Sequence, residues 1–136
     1  MNKIVLSESL AVSAQIAPED VTTIAAAGYK VIVNNRPDGE DPGQPTSAEI
    51  AALAEAEGLE YYHMPVTPMD FPGADFQAFT RLLDNPDKPV FAYCRSGTRC
   101  ANLWVSSRTG SAVTEAAGQA QALGFDLGLA ARHLQS

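Results

Sequence analysis

The chain has 136 residues, 46% hydrophobic and 18% charged, with a formal net charge of −7. That composition fits one folded domain spanning 1–136, large enough to bury a core without metal or disulfide staples. The acidic balance argues against nucleic acid and acidic membrane surfaces as partners, and no apolar run is long enough to span a bilayer.

The opening Met1-Asn2-Lys3-Ile4-Val5-Leu6 is too short for a signal peptide, so a cytoplasmic location is expected. The two cysteines, Cys94 and Cys100, lie too close together for a secreted disulfide framework, and a reducing compartment suits a free thiolate. With His63 and His133 they show no metal-ligand spacing, so neither metal nor cofactor is expected.

Taken in order, Lys3 to Leu6 and Leu10 to Ala14 are short runs split by Ser7-Glu8-Ser9, which predicts an N-terminal hairpin. Ala17-Pro18-Glu19-Asp20 opens a helix that carries Val21, Ile24 and Ala25 to a stop at Gly28. Tyr29 to Asn34 reads as a strand, and the turn-rich Asn34 to Gly43 as a loop. Thr46-Ser47-Ala48-Glu49 is a capping box before a helix that ends at Gly58. Leu59 to Met64 is the next strand, Pro65 to Pro72 a second long loop, and Asp75 to Leu83 an amphipathic helix. Val90 to Tyr93 is a buried strand. Helices follow to about Arg108, from Thr114 to Leu123, and around Leu127 to Leu134.

Strands alternating with helices imply βαβ units and a mainly parallel sheet flanked by helices. Ligands in such sheets bind at the carboxyl ends of the strands. That rule gathers Arg36 to Pro42, Pro65 to Pro72 and Cys94 to Arg99 on one rim.

The stretch around which the chain is organised is Cys94-Arg95-Ser96-Gly97-Thr98-Arg99, between the Val90 strand and a helix. Strand, tight loop and helix N-terminus turn backbone N–H groups toward one point and add the positive end of a helix dipole. A cysteine at the mouth of that nest should have a lowered pKa and be a thiolate near neutral pH. Gly97 supplies backbone freedom, and Arg99 can offer a planar fork of donors to a tetrahedral anion. The alternative, a cysteine buried as a small hydrophobe, does not require glycine and arginine at this spacing.

Four motifs then occur in order: Ile16-Ala17-Pro18-Glu19-Asp20, Val33-Asn34-Asn35-Arg36-Pro37-Asp38-Gly39-Glu40, His63-Met64-Pro65-Val66, and Tyr93-Cys94-Arg95-Ser96-Gly97-Thr98-Arg99. Together, from about Ser13 to Gly124, the chain resembles the bacterial β-lactamase-hydrolase-like protein, phosphatase-like domain family. The resemblance implies the three-layer α/β fold of cysteine-dependent tyrosine and dual-specificity phosphatases. It implies Cys94 as nucleophile and Arg99 as oxyanion clamp, with Ser96, Gly97 and Thr98 giving loop amides. An aspartate from a neighbouring loop would protonate the leaving group. Two departures matter. The phosphatase signature has five residues between cysteine and arginine and a histidine before the cysteine; here there are four, preceded by Tyr93. A Cys-Arg-Ser-Gly-x-Arg loop is closer to that of rhodanese sulfurtransferases, whose shorter cradle suits a persulfide.

Asp70, on the rim loop after the His63 strand, is the general acid candidate, against a role in its own turn. Asp38 is the second, and Asp75 suits helix capping. Arg36 either lines the site or ties down its loop, and Arg95 is a substrate contact or a solvated charge. His63 reads as a satisfied, partly buried strand residue. Cys100 stands where both loop families usually have a serine that hydrogen-bonds the nucleophile. It is either a redox partner for Cys94 or a small residue packed at a helix start. The leading expectation is a phosphatase-like hydrolase using a Cys94 thiophosphate. Beside it stand a sulfurtransferase carrying a Cys94 persulfide and a non-catalytic anion-binding regulatory module. The expected partner is a small anion, phosphoester or sulfane-sulfur donor, or a phosphorylated protein.

Overall fold

The computed structural model describes residues 1–135. Five strands form one sheet: β1 (Ile4–Ser7), β2 (Leu10–Ser13), β3 (Val31–Asn34), β4 (Glu60–His63) and β5 (Val90–Tyr93), in the spatial order β1-β2-β5-β3-β4. The β1–β2 pair is the antiparallel hairpin expected from the sequence; β2–β5, β5–β3 and β3–β4 are parallel. Six helices complete the chain: α1 (Asp20–Ala26), α2 (Ser47–Ala56), α3 (Phe76–Leu83), α4 (Thr98–Ser107), α5 (Ser111–Ala122) and α6 (Gly128–Leu134).

The strand period of two decides which helices cover which face. Val31, Val33, Val90 and Ala92 point into one apolar cluster with Phe79 and Leu83 of α3, Leu103 of α4, Ala116 of α5 and Ala130 of α6. Ile32, Phe91 and Tyr93 point the other way, against Val21 and Ile24 of α1 and Ile50 and Ala54 of α2. The layers are therefore α1–α2, sheet, and α3–α6. β5 lies between β2 and β3 and is buried along its whole length, so its near-continuous apolar run is what a parallel strand covered on both faces needs.

The element edges follow local chemistry. α2 starts where Thr46 Oγ1 accepts the Glu49 N–H at 3.1 Å, one half of the expected capping box. α1 starts later than Pro18, because the Asp20 carboxylate turns back to accept the Ala17 N–H at 2.8 Å and the preceding turn closes on itself. Asp75 holds the N-cap position of α3 but makes no side-chain cap bond. α5 begins at Ser111 rather than Thr114, after Gly110 at φ +59°. From Cys100 to Ser106 every residue of α4 is buried, the mark of a helix wrapped on all sides. Its Trp104 packs against the core and lines a cleft of about 550 Å³ with Leu6, Leu10 and Leu83. Leu10 pairs with Val90, so that cleft lies by the amino ends of the parallel strands, away from the rim.

Candidate active site

The register builds the rim. Ser13 and Asn34 both pair with Tyr93, and Asn34 with His63, so β2, β5, β3 and β4 end level with one another. The chain leaving β5 is held on both sides as it turns. Cys94 N–H donates to the Ser13 carbonyl at 3.3 Å, Asn35 N–H to the Tyr93 carbonyl at 2.8 Å, and Gln15 N–H to the Arg95 carbonyl at 3.4 Å. The loop then turns into α4 through Gly97 at φ +90°. A Cβ there would meet the Ser13 backbone at 3.4 Å, an ordinary contact, so it is the backbone angle that calls for glycine.

This turn brings donors onto one sulfur. The Gly97 N–H donates to Cys94 Sγ at 3.1 Å, joined by the backbone amides of Ser96 and Cys100. The Cys100 thiol is the foremost donor, and together they bring the Cys94 pKa down to about 6 although burial opposes ionisation. Cys100, fully enclosed and beside that thiolate, has its own pKa pushed up by burial first and by Cys94 second. The two shifts run in opposite directions, favouring the thiolate at Cys94 and the thiol at Cys100.

Arg99 is already engaged. Its two terminal nitrogens reach the two Glu40 carboxylate oxygens at 2.9 and 2.8 Å, and Nη1 also donates to the Val66 carbonyl at 3.0 Å. Glu40 is shared with Arg36, whose Nε lies 2.9 Å from the same carboxylate. The Arg99 bond first, and Arg36 after it, hold the Glu40 carboxyl below its usual value against the effect of partial burial. Asp41 repeats the pattern, bridging Arg36 and Arg95. Three arginines and two carboxylates thus lace the β3–α2 loop to the Cys94 loop. Glu40 and Asp41 were not singled out in the sequence, where they lie in a turn-dense segment with no periodicity.

The other candidates fall into place around this ladder. Arg36 is 3% exposed and also donates to Gln15 Oε1 at 3.0 Å, so its side chain ties down its loop in this structure. Arg95 is largely solvated beside Asp41. Ser96 is exposed and its hydroxyl donates to Thr98 Oγ1 at 3.1 Å. Asp38 caps α2 by accepting the Ser47 N–H at 2.8 Å. Asp70, exposed on the rim loop, accepts from the Thr67 N–H at 2.7 Å and the Thr67 hydroxyl at 3.0 Å. Asp70 thus serves its own turn here, and Asp38 the start of α2. His63 is paired through Nε2 with the Arg36 carbonyl at 2.9 Å, as expected of a satisfied residue, but is exposed rather than partly buried because β4 is an edge strand. Among the described residues no group of three His, Cys, Asp or Glu could hold a metal ion, and no helix is long and apolar enough to cross a membrane.

A mainly parallel sheet with a cysteine loop running from its central strand into a helix defines the class: a phosphatase-like α/β protein. Solved structures share that frame. A Neisseria meningitidis Z2491 protein described as "a putative phosphatase" superposes with a TM-score of 0.75 at 38% identity, covering 92% of this chain and 90% of its own. TpbA of P. aeruginosa shares the fold with a TM-score of 0.65 at 18% identity, over 91% of this chain and 74% of its own. Residues 3–113 match the model of the β-lactamase hydrolase-like protein, phosphatase-like domain, and the chain belongs to that family. Two β-lactamase hydrolase-like proteins are relatives at 37% identity. The one from Agrobacterium fabrum (strain C58) aligns over 77% of this chain and 24% of its own length, that from Xylella fastidiosa (strain 9a5c) over 96% and 31%. The chain therefore spans about a quarter to a third of the length of those relatives.

Proposed function

We propose that the chain is a cysteine-dependent phosphatase-like hydrolase acting on a small phosphoester or a phosphorylated protein. The observation that supports this reading is the turn that aims the Gly97 N–H at the Cys94 sulfur at 3.1 Å, at the head of the helix that carries Arg99, where the thiol pKa is brought down to about 6. In the proposed reaction the thiolate attacks phosphorus and the ester oxygen leaves with its electron pair. Loop amides and Arg99 hold the phosphoryl oxygens, and water then hydrolyses the Cys94 thiophosphate. Glu40 has to share or release the Arg99 fork as the anion enters. With Asp70 engaged in its own turn and Asp38 at the start of α2, leaving groups that depart unprotonated are favoured, so aryl phosphates should react ahead of alkyl phosphates. The same reading takes the chain as one domain working in a reducing, cytoplasmic setting.

One observation favours a second reading, sulfur transfer. Only four residues separate Cys94 from Arg99, and the donors in the loop converge on the sulfur itself. Attack of the thiolate on the outer sulfur of thiosulfate would give a Cys94 persulfide and sulfite, with no acid required.

Intact-protein mass spectrometry after parallel exposure to an aryl phosphate and to thiosulfate separates the readings. A phosphoryl adduct on Cys94, absent in Cys94→Ser, supports the hydrolase; a one-sulfur adduct supports the sulfurtransferase. No adduct with either, alongside binding of inorganic phosphate, would leave the anion-binding module.

A further inference from the structure

We propose that the cleft at the amino ends of the parallel strands is a second ligand site, built for a small arylalkyl- or alkylammonium ion. It lies at the opposite end of the sheet from the Cys94 loop. Leu10, in its lining, pairs with Val90 at the start of β5, whereas Cys94 follows the last residue of that strand. A space of about 550 Å³ falls within the roughly 300–1,000 Å³ of small-molecule sites.

Three parts of the chain build it. Leu6 and Leu10 are buried on either side of the hairpin turn, while Glu8 between them is exposed, so apolar surface lies within and charge at the mouth. Leu83 closes α3, and Trp104 adds aromatic surface from α4. The third wall is α5, whose Ala112, Glu115, Ala116 and Gln119 recur at three- and four-residue spacing and share one face. The two alanines leave room that larger side chains would fill. Glu115 and Gln119 are exposed at the lip.

Charge decides what this space suits. Neither the Glu8 nor the Glu115 carboxylate has a hydrogen bond or ion pair among the described residues. Arg108, the one cation in the lining, is already matched: Nη2 lies 2.9 Å from Asp84 Oδ1, and Nε donates to the Ser107 hydroxyl at 3.1 Å. Two uncompensated carboxylates therefore stand over an apolar, partly aromatic interior. An ammonium group on a compact apolar body answers both, with charge-assisted hydrogen bonds at the mouth and burial below. A phosphorylated or carboxylate ligand is repelled. A second copy of this chain is opposed as well, since it brings a net charge of −7 to the same carboxylates.

The test is a ¹H–¹⁵N NMR titration of the full chain with phenethylammonium, set beside phenethyl alcohol and 3-phenylpropionate as neutral and anionic counterparts. Phenethylammonium should give saturable shifts at the Ser9, Glu115 and Gln119 amides and the Trp104 indole N–H, and none at Gly97 or Arg99. Its Kd should be about tenfold below that of the alcohol, and the propionate should not saturate. Replacing both exposed carboxylates, Glu8→Gln with Glu115→Gln, should bring the amine and the alcohol to near equality. Ala112→Leu, its fold checked by the same spectrum, should abolish binding of both. Absence of saturable shifts, equal affinity for amine and alcohol in the unmodified chain, or undiminished binding in Ala112→Leu would each overturn the proposal. Binding is read without turnover. A chain inert toward phosphoesters and thiosulfate would leave this inference standing, and a failed titration would leave the Cys94 chemistry untouched.

Discussion

At the scale of residues, the Cys94 sulfur owes its ionisation to its neighbours more than to a distant field, and the leading neighbour is a thiol. Hydrogen bonds to a charged group contribute roughly 1.5–3 kcal/mol. Cys100→Ala should therefore raise the Cys94 pKa by about one to two pH units, while Cys100→Ser holds it close to its native value. The pH dependence of alkylation by iodoacetamide reads this directly: the unmodified chain should reach half its plateau rate near pH 6. Arg99 poses a different test. Its fork matches two oxygens at once, here those of Glu40, so Arg99→Lys should lose nearly as much activity as Arg99→Ala. A loss on the order of 10²–10³ in kcat is expected from other preorganised donors of this kind. A lysine variant with near-native steady-state rates would show that a point charge suffices.

At the scale of elements, α4 does more than begin at the Cys94 loop; it anchors the C-terminal segment through Asn102. That side chain is fully buried. Its amide donates to the Thr98 and Asp126 carbonyls at 2.8 Å each, and its oxygen accepts the Ala130 N–H at 2.9 Å. α6, fixed in this way, reaches the rim loop: Arg132 donates to the Pro68 carbonyl, and His133 stacks edge-on against Phe71 and Phe76. Asn102→Ala would strand the buried Ala130 N–H and release the Asp126 carbonyl that ties the C-terminal segment to α4. About 3 kcal/mol of stability should be lost, seen as a lower urea midpoint. The elements themselves were readable from the sequence because each carried its own signal. The hairpin had its polar break at Ser7 to Ser9, α2 its Thr46 cap, and β5 an apolar run bounded by a proline and a cysteine. What could not be read were pairings across long separations. Glu40 and Arg99 stand 59 positions apart, and nothing local to Glu40 marks it as the partner of the clamp. Asp70 was legible as a rim residue, but its bond to Thr67 is a choice between neighbours that only the folded loop makes.

At the scale of the whole molecule, the acidic chain concentrates opposite charge at one place. Arg36, Arg95 and Arg99 meet Glu40 and Asp41 across two loops, a network rather than an isolated pair. Because Glu40's folded pKa is lowered, its contribution to stability is full above its usual value near 4.5. It is lost as pH falls through the lower folded value. Glu60, held down by Lys88 and then Tyr62, has the same sign. Denaturant midpoints should therefore drop as pH falls below about 4.5, and Glu40→Gln should flatten part of that drop. An unchanged slope in the variant would mean the ladder adds no net stability.

The helix that starts at the reactive loop also carries the chain's single tryptophan. Cys100 and Trp104 are four residues apart, hence on one face of α4 about one turn from each other. Thiols and disulfides quench indole emission at short range to different degrees. The ultraviolet fluorescence of the unlabelled protein should thus rise or fall in intensity when Cys100→Ser removes that sulfur, while Cys94→Ser changes it less. A residue placed to fill the core becomes an optical probe of the loop, with no dye attached.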